Sequence, residues 1–360
     1  MITMNRNVTR VLWIAGAWVL VSVFQILMIY SSFLMFDCTP IGFDLKIYFK
    51  SSLLTGVIAG VLGGSLMVFG WEKWLRKKSY GAALIDILLS YILVYLLVSF
   101  INGIFFNTYE KDMPFFSKEV LIGVIDFLLN VGNLQSFVFW LLTVLITMVF
   151  LQVSDKYGPG VFLSFLLGKY FRPKREERIF MFLDLRASTT IAEQLGEKRY
   201  FNFIRQVFAD VTPSIINSRG QIYQYVGDEI VITWNLEEGF NKANCVQCFF
   251  DIRDVLRKRA AFYEDKYDNI RPTFKAGVHF GHVMAGEVGV VKRDIAYSGD
   301  VLNTTARIQS KCNEFGVDLL ISKALFNKLG QVLDAFSAKE MGCILLRGKQ
   351  ENVVLYAVAD

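Results

Sequence analysis

In the C-terminal half, the chain reads Ile179-Phe180-Met181-Phe182-Leu183-Asp184. A short and almost wholly apolar run is typical of a buried central strand of a sheet. The run ends on a carboxylate, Asp184. Directly after it, Ser188-Thr189-Thr190 and Glu193 predict the start of a helix, because hydroxyls and a nearby acid satisfy the free amides of a first helical turn.

Strands and helices alternate from this point to residue 360. Apolar periodicity predicts helices, and short apolar runs around glycine predict strand pairs. The predicted helices are 200–216, 242–267 and 302–315; the predicted strand pairs are 221–225 with 229–234, 274–280 with 283–285 around Gly281-His282, and two strands within 342–358. Residues 179–360 therefore read as one globular domain.

Two aspartates in this domain suggest a metal site. Asp184 ends a buried strand, and Asp228 lies in the tight turn Val226-Gly227-Asp228. If the two strands are neighbours, both carboxylates converge at one sheet edge, where Mg²⁺ can bind through them and take its other ligands from water and substrate phosphates. Two such ions can activate an attacking oxygen and screen a leaving polyphosphate. Either aspartate alone would be more typical of a cap or a turn.

The N-terminal half is too apolar for a soluble domain. The chain has 54% hydrophobic residues and 32 Phe, and the four stretches 11–36, 52–71, 80–106 and 134–151 are each long enough to cross a bilayer core. Basic residues cluster at 6–10, 73–78 and 156–175, all on one side of a four-span arrangement. Because Lys and Arg are retained inside, we expect a multi-pass protein of the inner (plasma) membrane with both termini cytoplasmic.

These boundaries predict a transmembrane domain at 1–152, a juxtamembrane linker at 153–178 and a cytoplasmic domain at 179–360. Segment 115–131 has one apolar helical face, which predicts a short re-entrant or interfacial connector; a ligand-sensing element is the alternative. The basic residues of 169–178 can rest on anionic lipid headgroups or belong to a solvated linker.

Composition excludes other classes. With 20% charged residues and a net charge of +5, we expect no disorder and no nucleic-acid-binding tail. The five Cys are an odd number scattered along the chain, so reduced thiols are expected. Cys245-x-x-Cys248 and His279-x-x-His282 together could form a zinc site, but no second Cys pair supports one, and we interpret His279 as structural.

Four motifs in order resemble the catalytic domain of class III adenylate and guanylate cyclases. They are Phe182-Leu183-Asp184-Leu185-Arg186-Ala187-Ser188-Thr189; Tyr225-Val226-Gly227-Asp228; Ala276-Gly277-Val278-His279-Phe280-Gly281-His282-Val283 with Gly286; and Tyr297-Ser298-Gly299-Asp300-Val301-Leu302-Asn303-Thr304-Thr305-Ala306-Arg307. The resemblance covers only the C-terminal half. It implies a fold like the polymerase palm, so the expected architecture is an N-terminal α-helical transmembrane bundle of four spans followed by an α+β, ferredoxin-like, palm-type cyclase domain.

The resemblance also implies roles for individual residues in a head-to-tail homodimer with shared active sites. Asp184 and Asp228 match the aspartates that bind two Mg²⁺ ions per site, for which Mn²⁺ can substitute. Asn303 and Arg307 match the pair contributed by the partner chain, where Asn orients the ribose and Arg stabilises the transition state; their spacing of four places both on one helical face. Lys349 resembles the family's polyphosphate-binding lysine, although an ordinary surface lysine fits its position equally well.

The implied reaction is that of a phosphorus–oxygen lyase. The ribose 3′-hydroxyl of a nucleoside triphosphate attacks the α-phosphorus, which releases pyrophosphate and leaves a 3′,5′-cyclic nucleotide. Members of the family that read adenine use Lys with Asp or Thr, and guanylate cyclases tend to use Glu with Cys. The matching positions here hold Gln224 and Ala296. We expect ATP and cyclic AMP, from the habit of membrane-tethered bacterial members; GTP or a pyrimidine nucleotide stays open.

Two other interpretations of the domain stay open. One is a catalytically degenerate membrane receptor or dimerisation module, which the unusual base-reading positions favour and the intact metal and Asn/Arg positions oppose. The other is a diguanylate cyclase, whose signature Gly227-Asp228-Glu229 resembles. Val226 and Ile230 depart from that signature, and it leaves Asn303 and Arg307 unexplained. The membrane half is either a sensor or a plain anchor.

Overall fold

The computed structural model describes residues 6–37, 44–71, 79–111, 114–115, 117–157, 167–291, 293–345 and 352–360. The chain divides into two compact units, Met1–Val153 and Ser154–Asp360. Each unit has its own apolar core.

The N-terminal unit consists of helices. They are α1 (Arg6–Met35), α2 (Leu45–Ser65, continued by a π-helical turn over Leu66–Trp71), α3 (Tyr80–Lys111), α4 (Lys118–Leu129) and α5 (Val131–Tyr157). Among the described residues, four stretches are long and apolar enough to cross a membrane, namely Asn7–Met35, Leu45–Trp71, Leu84–Tyr109 and Val131–Ser154. The predicted count of four spans is therefore confirmed. Helix α4, at 12 residues, is only about 18 Å long and too short to cross.

Polar side chains pair between the membrane helices. Trp18 Nε1 donates to Thr147 Oγ1 at 3.1 Å, which joins α1 to α5. Asn102 Nδ2 donates to Thr55 Oγ1 at 2.7 Å, and Tyr95 OH donates to Asn133 Oδ1 at 2.8 Å. In an apolar medium an unpaired polar group is costly, so these bonds favour one arrangement of the helices.

Helices α1 and α2 approach closely along a row of glycines. A Cβ on Gly56 would lie 2.7 Å from Val19 Cα, and one on Gly60 would lie 2.6 Å from Ala15 Cα. Gly64 continues the row and faces Ile14. Small residues at every fourth position let two membrane helices pack backbone against backbone. This pattern lies within the predicted second span, but hydropathy alone does not single it out.

Gly60→Ala is expected to destabilise the membrane unit by roughly 1–3 kcal/mol, because backbone atoms of α1 must move to admit the methyl group. The measurement is the melting temperature of the detergent-solubilised protein. Gly16→Ala is the matched control, since a Cβ on Gly16 has no atom within 4 Å. Equal melting of the two variants would contradict the packing argument.

The C-terminal unit alternates strands and helices as expected. The strands are β1 (Lys174–Leu185), β2 (Gln221–Val226), β3 (Glu229–Asn235), β4 (Phe274–Val288), β5 (Asp294–Ser298), β6 (Leu319–Ser322), β7 (Ser337–Leu345) and β8 (Asn352–Ala359). The helices are α6 (Ser188–Leu195), α7 (Glu197–Asn217), α8 (Leu236–Phe240), α9 (Asn244–Lys258), α10 (Ala260–Lys266), α11 (Asp300–Ser310), α12 (Cys312–Phe315) and α13 (Lys323–Leu329). Turns of 3₁₀ helix cover Asn241–Ala243 and Gly330–Leu333.

The strands form one mixed sheet in the order β2-β3-β1-β4-β6-β8-β7, with β5 paired to β4. Among these pairs, β4–β6 is parallel and the others are antiparallel. Strand β1 lies in the interior of the sheet, and both of its faces are buried. Ile179 and Met181 point into the main core, while Phe180 points into a second cluster with Val283 and Val301 on the other face. This double burial explains the continuous apolar run.

The predicted strand pair at 274–285 is wrong. Residues 274–288 form the single strand β4, and its hairpin partner is β5. The glycine at 281 marks no turn, because β1 pairs with β4 without interruption from Leu185↔Phe274 to Lys174↔Ala285. Gly281 instead lies under helix α11, where a Cβ would come within 3.3 Å of Val301.

Other predicted elements differ in extent, among them the helix predicted for 302–315, which is divided into α11 (Asp300–Ser310) and α12 (Cys312–Phe315). The helix predicted for 242–267 is broken into a 3₁₀ turn, α9 and α10, with Lys242 and Ala243 in left-handed conformations. Strand β1 begins at Lys174, five residues before the predicted strand, because Arg178 is buried in the sheet. Its guanidinium donates to Thr233 on β3, Gln221 on β2 and Glu176.

Candidate active site

The two predicted metal-binding aspartates lie at the same end of neighbouring strands. Strands β1 and β3 are paired, and the register places Asp184 directly opposite Glu229. Asp228 occupies the turn immediately before Glu229. On the other side, Lys275 of β4 is the register partner of Asp184. Because cross-strand partners share a face of the sheet, Asp184, Glu229 and Lys275 all point to the face that α11 covers.

The carboxylates of Asp184, Asp228 and Glu229 affect one another's ionisation, and the ammonium group of Lys275 lies beside Asp184. Partial burial raises the pKa of Asp184; Lys275 opposes this effect and Asp228 adds to it. Burial, with the charges of Asp184 and Asp228, raises the pKa of Glu229 to about 7, against the opposing effect of Lys275. Neighbouring negative charges disfavour each other's ionisation unless a cation binds between them. The electrostatics therefore fit a divalent cation.

The ligand set fits an ion that is shared with substrate. Within the described ranges, no group of three or more His, Cys, Asp or Glu side chains is placed to hold a metal by itself. Mg²⁺ commonly binds through one or two carboxylates and takes its other ligands from water and phosphate. Asp184 and Asp228 would supply the protein's share of such a site.

Hydrogen bonds from Arg186 hold the turn after Asp184, and the helix that follows this turn has no side-chain cap at its N-terminus. Arg186 Nη2 donates to Asp318 Oδ1 and to the carbonyl oxygen of Val317, both at 2.7 Å. Helix α6 begins at Ser188, as predicted, but its N-cap is Ala187 at φ 54°, without a side-chain hydrogen bond. The predicted capping by hydroxyls is therefore corrected. A helix N-terminus without a side-chain cap, next to the strand end that carries Asp184, is suited to binding phosphate.

Asn303 and Arg307 lie on the face of α11 that points away from this cluster. Asn303 is exposed and Arg307 is partly buried, and neither side chain is hydrogen-bonded or ion-paired within the part of the chain that the structure describes. The opposite face of α11 packs on β4 through Thr305 and Gln309. One chain thus presents a carboxylate cluster and an Asn/Arg pair on different faces of the same helix–sheet layer.

The two residues predicted to read the base lie on β2 and β5, strands that are not paired but are joined by a contact between tyrosines. Gln224 is exposed on β2, and Ala296 is partly buried on β5. Their neighbours hold the strands together, since the Tyr297 N–H donates to Tyr223 OH at 3.3 Å and the two rings lie 5.0 Å apart. The Arg178 guanidinium stacks on the Tyr297 ring at 4.8 Å. Gln224 and Ala296 thus each adjoin one member of this tyrosine contact, and of the two only Gln224 has a polar side chain.

Lys349 lies outside the described residues. The zinc alternative gains no support, because Cys245 and Cys248 are fully buried in the core and burial raises the pKa of both thiols. His279 Nδ1 lies 2.7 Å from Ser322 Oγ, which agrees with a structural role.

Three polar contacts to the site were missed in the sequence. They involve Glu229, Lys275 and Gln309, all of which surround Asp184. Glu229 follows Asp228 directly, so its proximity could have been inferred from the hairpin. The contacts of Lys275 and Gln309 depend on strand pairing and helix packing, and no local pattern announces them.

The domain thus has a sheet flanked by helices, with two carboxylates at the adjoining ends of neighbouring strands, an arrangement expected of an adenylate cyclase-like phosphorus–oxygen lyase domain. Residues 172–359 match the family described as adenylate and guanylate cyclase catalytic domain. The chain belongs to this family. The resemblance drawn from the four motifs is thereby confirmed, as is the α+β cyclase fold.

Curated relatives and solved structures agree with this assignment. The chain is 38% identical over 179 residues to "Adenylate cyclase 2" of Rhizobium meliloti (strain 1021), covering 50% of this chain and 49% of that protein. It is 25% identical over 183 residues to "Adenylate cyclase" of Anabaena cylindrica, covering 49% of this chain and 36% of that protein. The chain thus spans half or less of the length of these relatives. A bacterial light-regulated adenylyl cyclase has the same fold, with a TM-score of 0.51 and 21% identity over 60% of this chain and 63% of that one.

Proposed function

We propose that the protein is a membrane-anchored, homodimeric nucleotide cyclase that converts ATP to 3′,5′-cyclic AMP and pyrophosphate. The observation that carries the proposal is the division of groups within one chain. The carboxylates lie at the β1/β3 edge, whereas Asn303 and Arg307 point away from them on α11. A complete active site then needs the carboxylate edge of one chain and the Asn303/Arg307 face of another. A head-to-tail dimer brings these two parts together at each of two sites.

Asp184 and Asp228 would hold two Mg²⁺ ions, with Mn²⁺ as a substitute. Bound there, the ions would polarise the attacking 3′-oxygen and neutralise charge on the polyphosphate. The protein's own part is positioning and electrostatics. The first amides of α6, which lack a side-chain cap, would receive phosphate oxygens, and the hydrogen bonds of Arg186 would keep that turn in place.

The partner's copy of α11 would complete the site. Asn303 and Arg307 are four residues apart and share one face of the helix. Asn303 would orient the ribose through its amide, and the planar guanidinium of Arg307 would bind the phosphoryl oxygens as they gain negative charge. Lys349 is a further candidate for binding the polyphosphate.

Base recognition would depend on Gln224, because the side chain of Ala296 has no polar group. A carboxamide offers both a donor and an acceptor, which suits the adenine edge. Similarity to proteins named adenylate cyclase supports ATP. GTP and the pyrimidine nucleotides are the competing substrates.

The four apolar helices would anchor the enzyme in the inner (plasma) membrane, with the cyclase domain and both termini in the cytoplasm. We assign residues 1–152 to the membrane domain, 153–178 to the linker and 179–360 to the catalytic domain. Confinement to a membrane raises the local concentration of chains and so favours dimerisation. A sensor function would in addition require that the helices change the dimer geometry.

The experiment that tests the proposal is an assay of the purified full-length protein with each of the four nucleoside triphosphates and Mn²⁺. We expect cyclic AMP from ATP as the main product. A different cyclic nucleotide as the main product would overturn the substrate assignment alone. Absence of any cyclic product would favour the degenerate dimerisation module.

Gln224→Ala is expected to lower kcat/KM for ATP by about 10-fold to 100-fold, because leaving a hydrogen-bonding group of the base without its partner costs roughly 1–3 kcal/mol. The loss should appear in discrimination between nucleotides, with little change in melting temperature, since Gln224 is exposed on β2. Gln221→Ala is not a suitable control because Gln221 accepts from Arg178. Gln331→Ala is the control, because Gln331 is an exposed glutamine in the 3₁₀ turn Gly330–Leu333, outside the strands that carry the site. Unaltered discrimination in Gln224→Ala would exclude this residue from base recognition.

A further inference from the structure

Two side chains hold the same oxygen of Asp184. Gln309 Nε2 donates to Oδ2 at 3.0 Å, and Lys275 Nζ lies 3.1 Å from that oxygen. Gln309 is only 7% exposed, so its amide gains little from solvent. The other carboxylate oxygen, Oδ1, receives no hydrogen bond from any residue that the structure describes. Asp184 is thus fixed through one oxygen, and the other is left available.

The position of Gln309 is set by unusually close packing of α11 on β4. A Cβ on Gly277 would lie 2.4 Å from the backbone nitrogen of Gln309 and 2.8 Å from the carbonyl oxygen of Thr305. The helix can approach this closely only because residue 277 has no side chain. As a result, the Gln309 amide reaches Asp184 on β1 across β4.

We propose that Gln309 is a positioning residue for metal binding. It holds Oδ2 of Asp184, together with Lys275, and so presents Oδ1 to a divalent cation. A group that orients a metal ligand commonly changes metal affinity by about 10-fold to 100-fold when it is removed. The inference rests on the proposed function, since it takes Asp184 to be a metal ligand.

Gln309 and Arg307 lie on opposite sides of α11. They are two residues apart in the sequence, hence about 200° apart around the helix. In a dimer with shared sites, α11 of one chain would hold the metal ligand of one active site through Gln309 and complete the other active site through Arg307. Gln309 would therefore affect the active site that contains Asp184 of its own chain, whereas Arg307 of the same chain would act in the other site.

The first test measures binding of Mn²⁺ alone to the full-length protein by electron paramagnetic resonance. An Arg307→Ala background is used so that turnover plays no part. Gln309→Met keeps the length of the side chain and removes the donor, and we expect the Mn²⁺ dissociation constant to rise about tenfold or more. The control is Gln247→Met, which removes a similar glutamine-to-aspartate bond, from Gln247 Nε2 to Asp251 Oδ1 at 2.8 Å, on α9. Equal Mn²⁺ binding in the presence and absence of Gln309→Met would overturn the proposal.

The second test places Gln309→Met in a mixed dimer with one working site. The Arg307→Ala chain supplies the aspartates of that site, and an Asp184→Asn chain supplies Asn303 and Arg307. Gln309→Met on the Arg307→Ala chain should raise the Mn²⁺ concentration for half-maximal activity. On the Asp184→Asn chain it should leave that concentration unchanged. The same loss in both placements would mean general damage to the fold and would count against a positioning role.

These outcomes separate the inference from the proposed function. If mixed dimers show no activity even with native Gln309, the shared-site model fails, while the Mn²⁺ binding measurement still tests Gln309. If mixed dimers are active but the placement of Gln309→Met has no effect, the shared-site model stands and the role of Gln309 is wrong.

Discussion

Mixing Asp184→Asn chains with Arg307→Ala chains is expected to restore cyclase activity that neither variant has alone. Each homodimer lacks the same group in both of its sites, and loss of an arginine or of a metal ligand at phosphoryl-transfer sites lowers kcat by about 10³-fold or more. A mixed dimer has one site with both defects and one site with neither. In a preparation that contains only mixed dimers, one of the two sites in each dimer works, so recovery should approach about one half of the native activity.

The measurement is the rate of cyclic nucleotide formation after co-expression of the two chains and purification through two different tags. Asp184→Asn keeps the shape of the side chain, and Asn303 and Arg307 are not bonded to the carboxylate cluster within the described residues, so both variants should fold. The control is a mixture of Asp184→Asn with Asp228→Asn chains, which leaves one defective aspartate in each of the two sites and should stay inactive. Recovery in that control, or none in the test pair, would contradict the shared-site geometry.

Gly277→Ala should have the largest effect on the fold of the catalytic unit. The added methyl group would meet backbone atoms of α11, the nearest at 2.4 Å, and backbone cannot turn aside as a side chain can. Helix α11 must then move from β4 and would carry Asn303, Arg307 and Gln309 with it. We expect a loss of about 3 kcal/mol, or a fall of roughly 10 °C in the melting temperature of this unit, together with loss of activity.

Gly281→Ala is the matched control for this prediction. Both glycines lie on β4 under α11, but at position 281 the nearest atoms belong to the side chain of Val301, at 3.3 Å, and that side chain can shift by a few tenths of an ångström. Calorimetry of the detergent-solubilised protein should therefore show a small change for Gly281→Ala and a large one for Gly277→Ala. If both changed equally, the close approach of helix backbone would not be the cause.

Local sequence was sufficient for the elements that depend on local chemistry. The run from Ile179 to Leu183 predicted a buried strand because a strand covered on both faces tolerates few polar residues. The hairpin around Gly227 followed from turn chemistry, and the four spans followed from length and hydropathy. The ordered motifs were enough to place the domain in its family, and they named Asp184 and Asp228 before any pairing of strands was known.

Predictions from the sequence were wrong where the role of a residue depends on the surrounding structure. Gly281 looked like a turn residue, yet it lies within a 15-residue strand, because α11 needs the space that its missing side chain leaves. Ser188 and Thr189 looked like caps, yet Ala187 occupies the N-cap. For Gly281, the side chain that explains the missing Cβ is that of Val301, on a helix further along the chain.

The sequence by itself determined that four apolar spans precede a cyclase domain with two candidate metal-binding aspartates, because hydropathy, turn chemistry and motif order are properties of short segments. Only the tertiary structure showed that Lys275 and Gln309 hold one oxygen of Asp184, and that Asn303 and Arg307 face away from it. These relations join β1 to β4 and α11 across 91 and 125 positions of the chain. Contacts of that range are fixed by strand register and helix packing, which no single segment encodes.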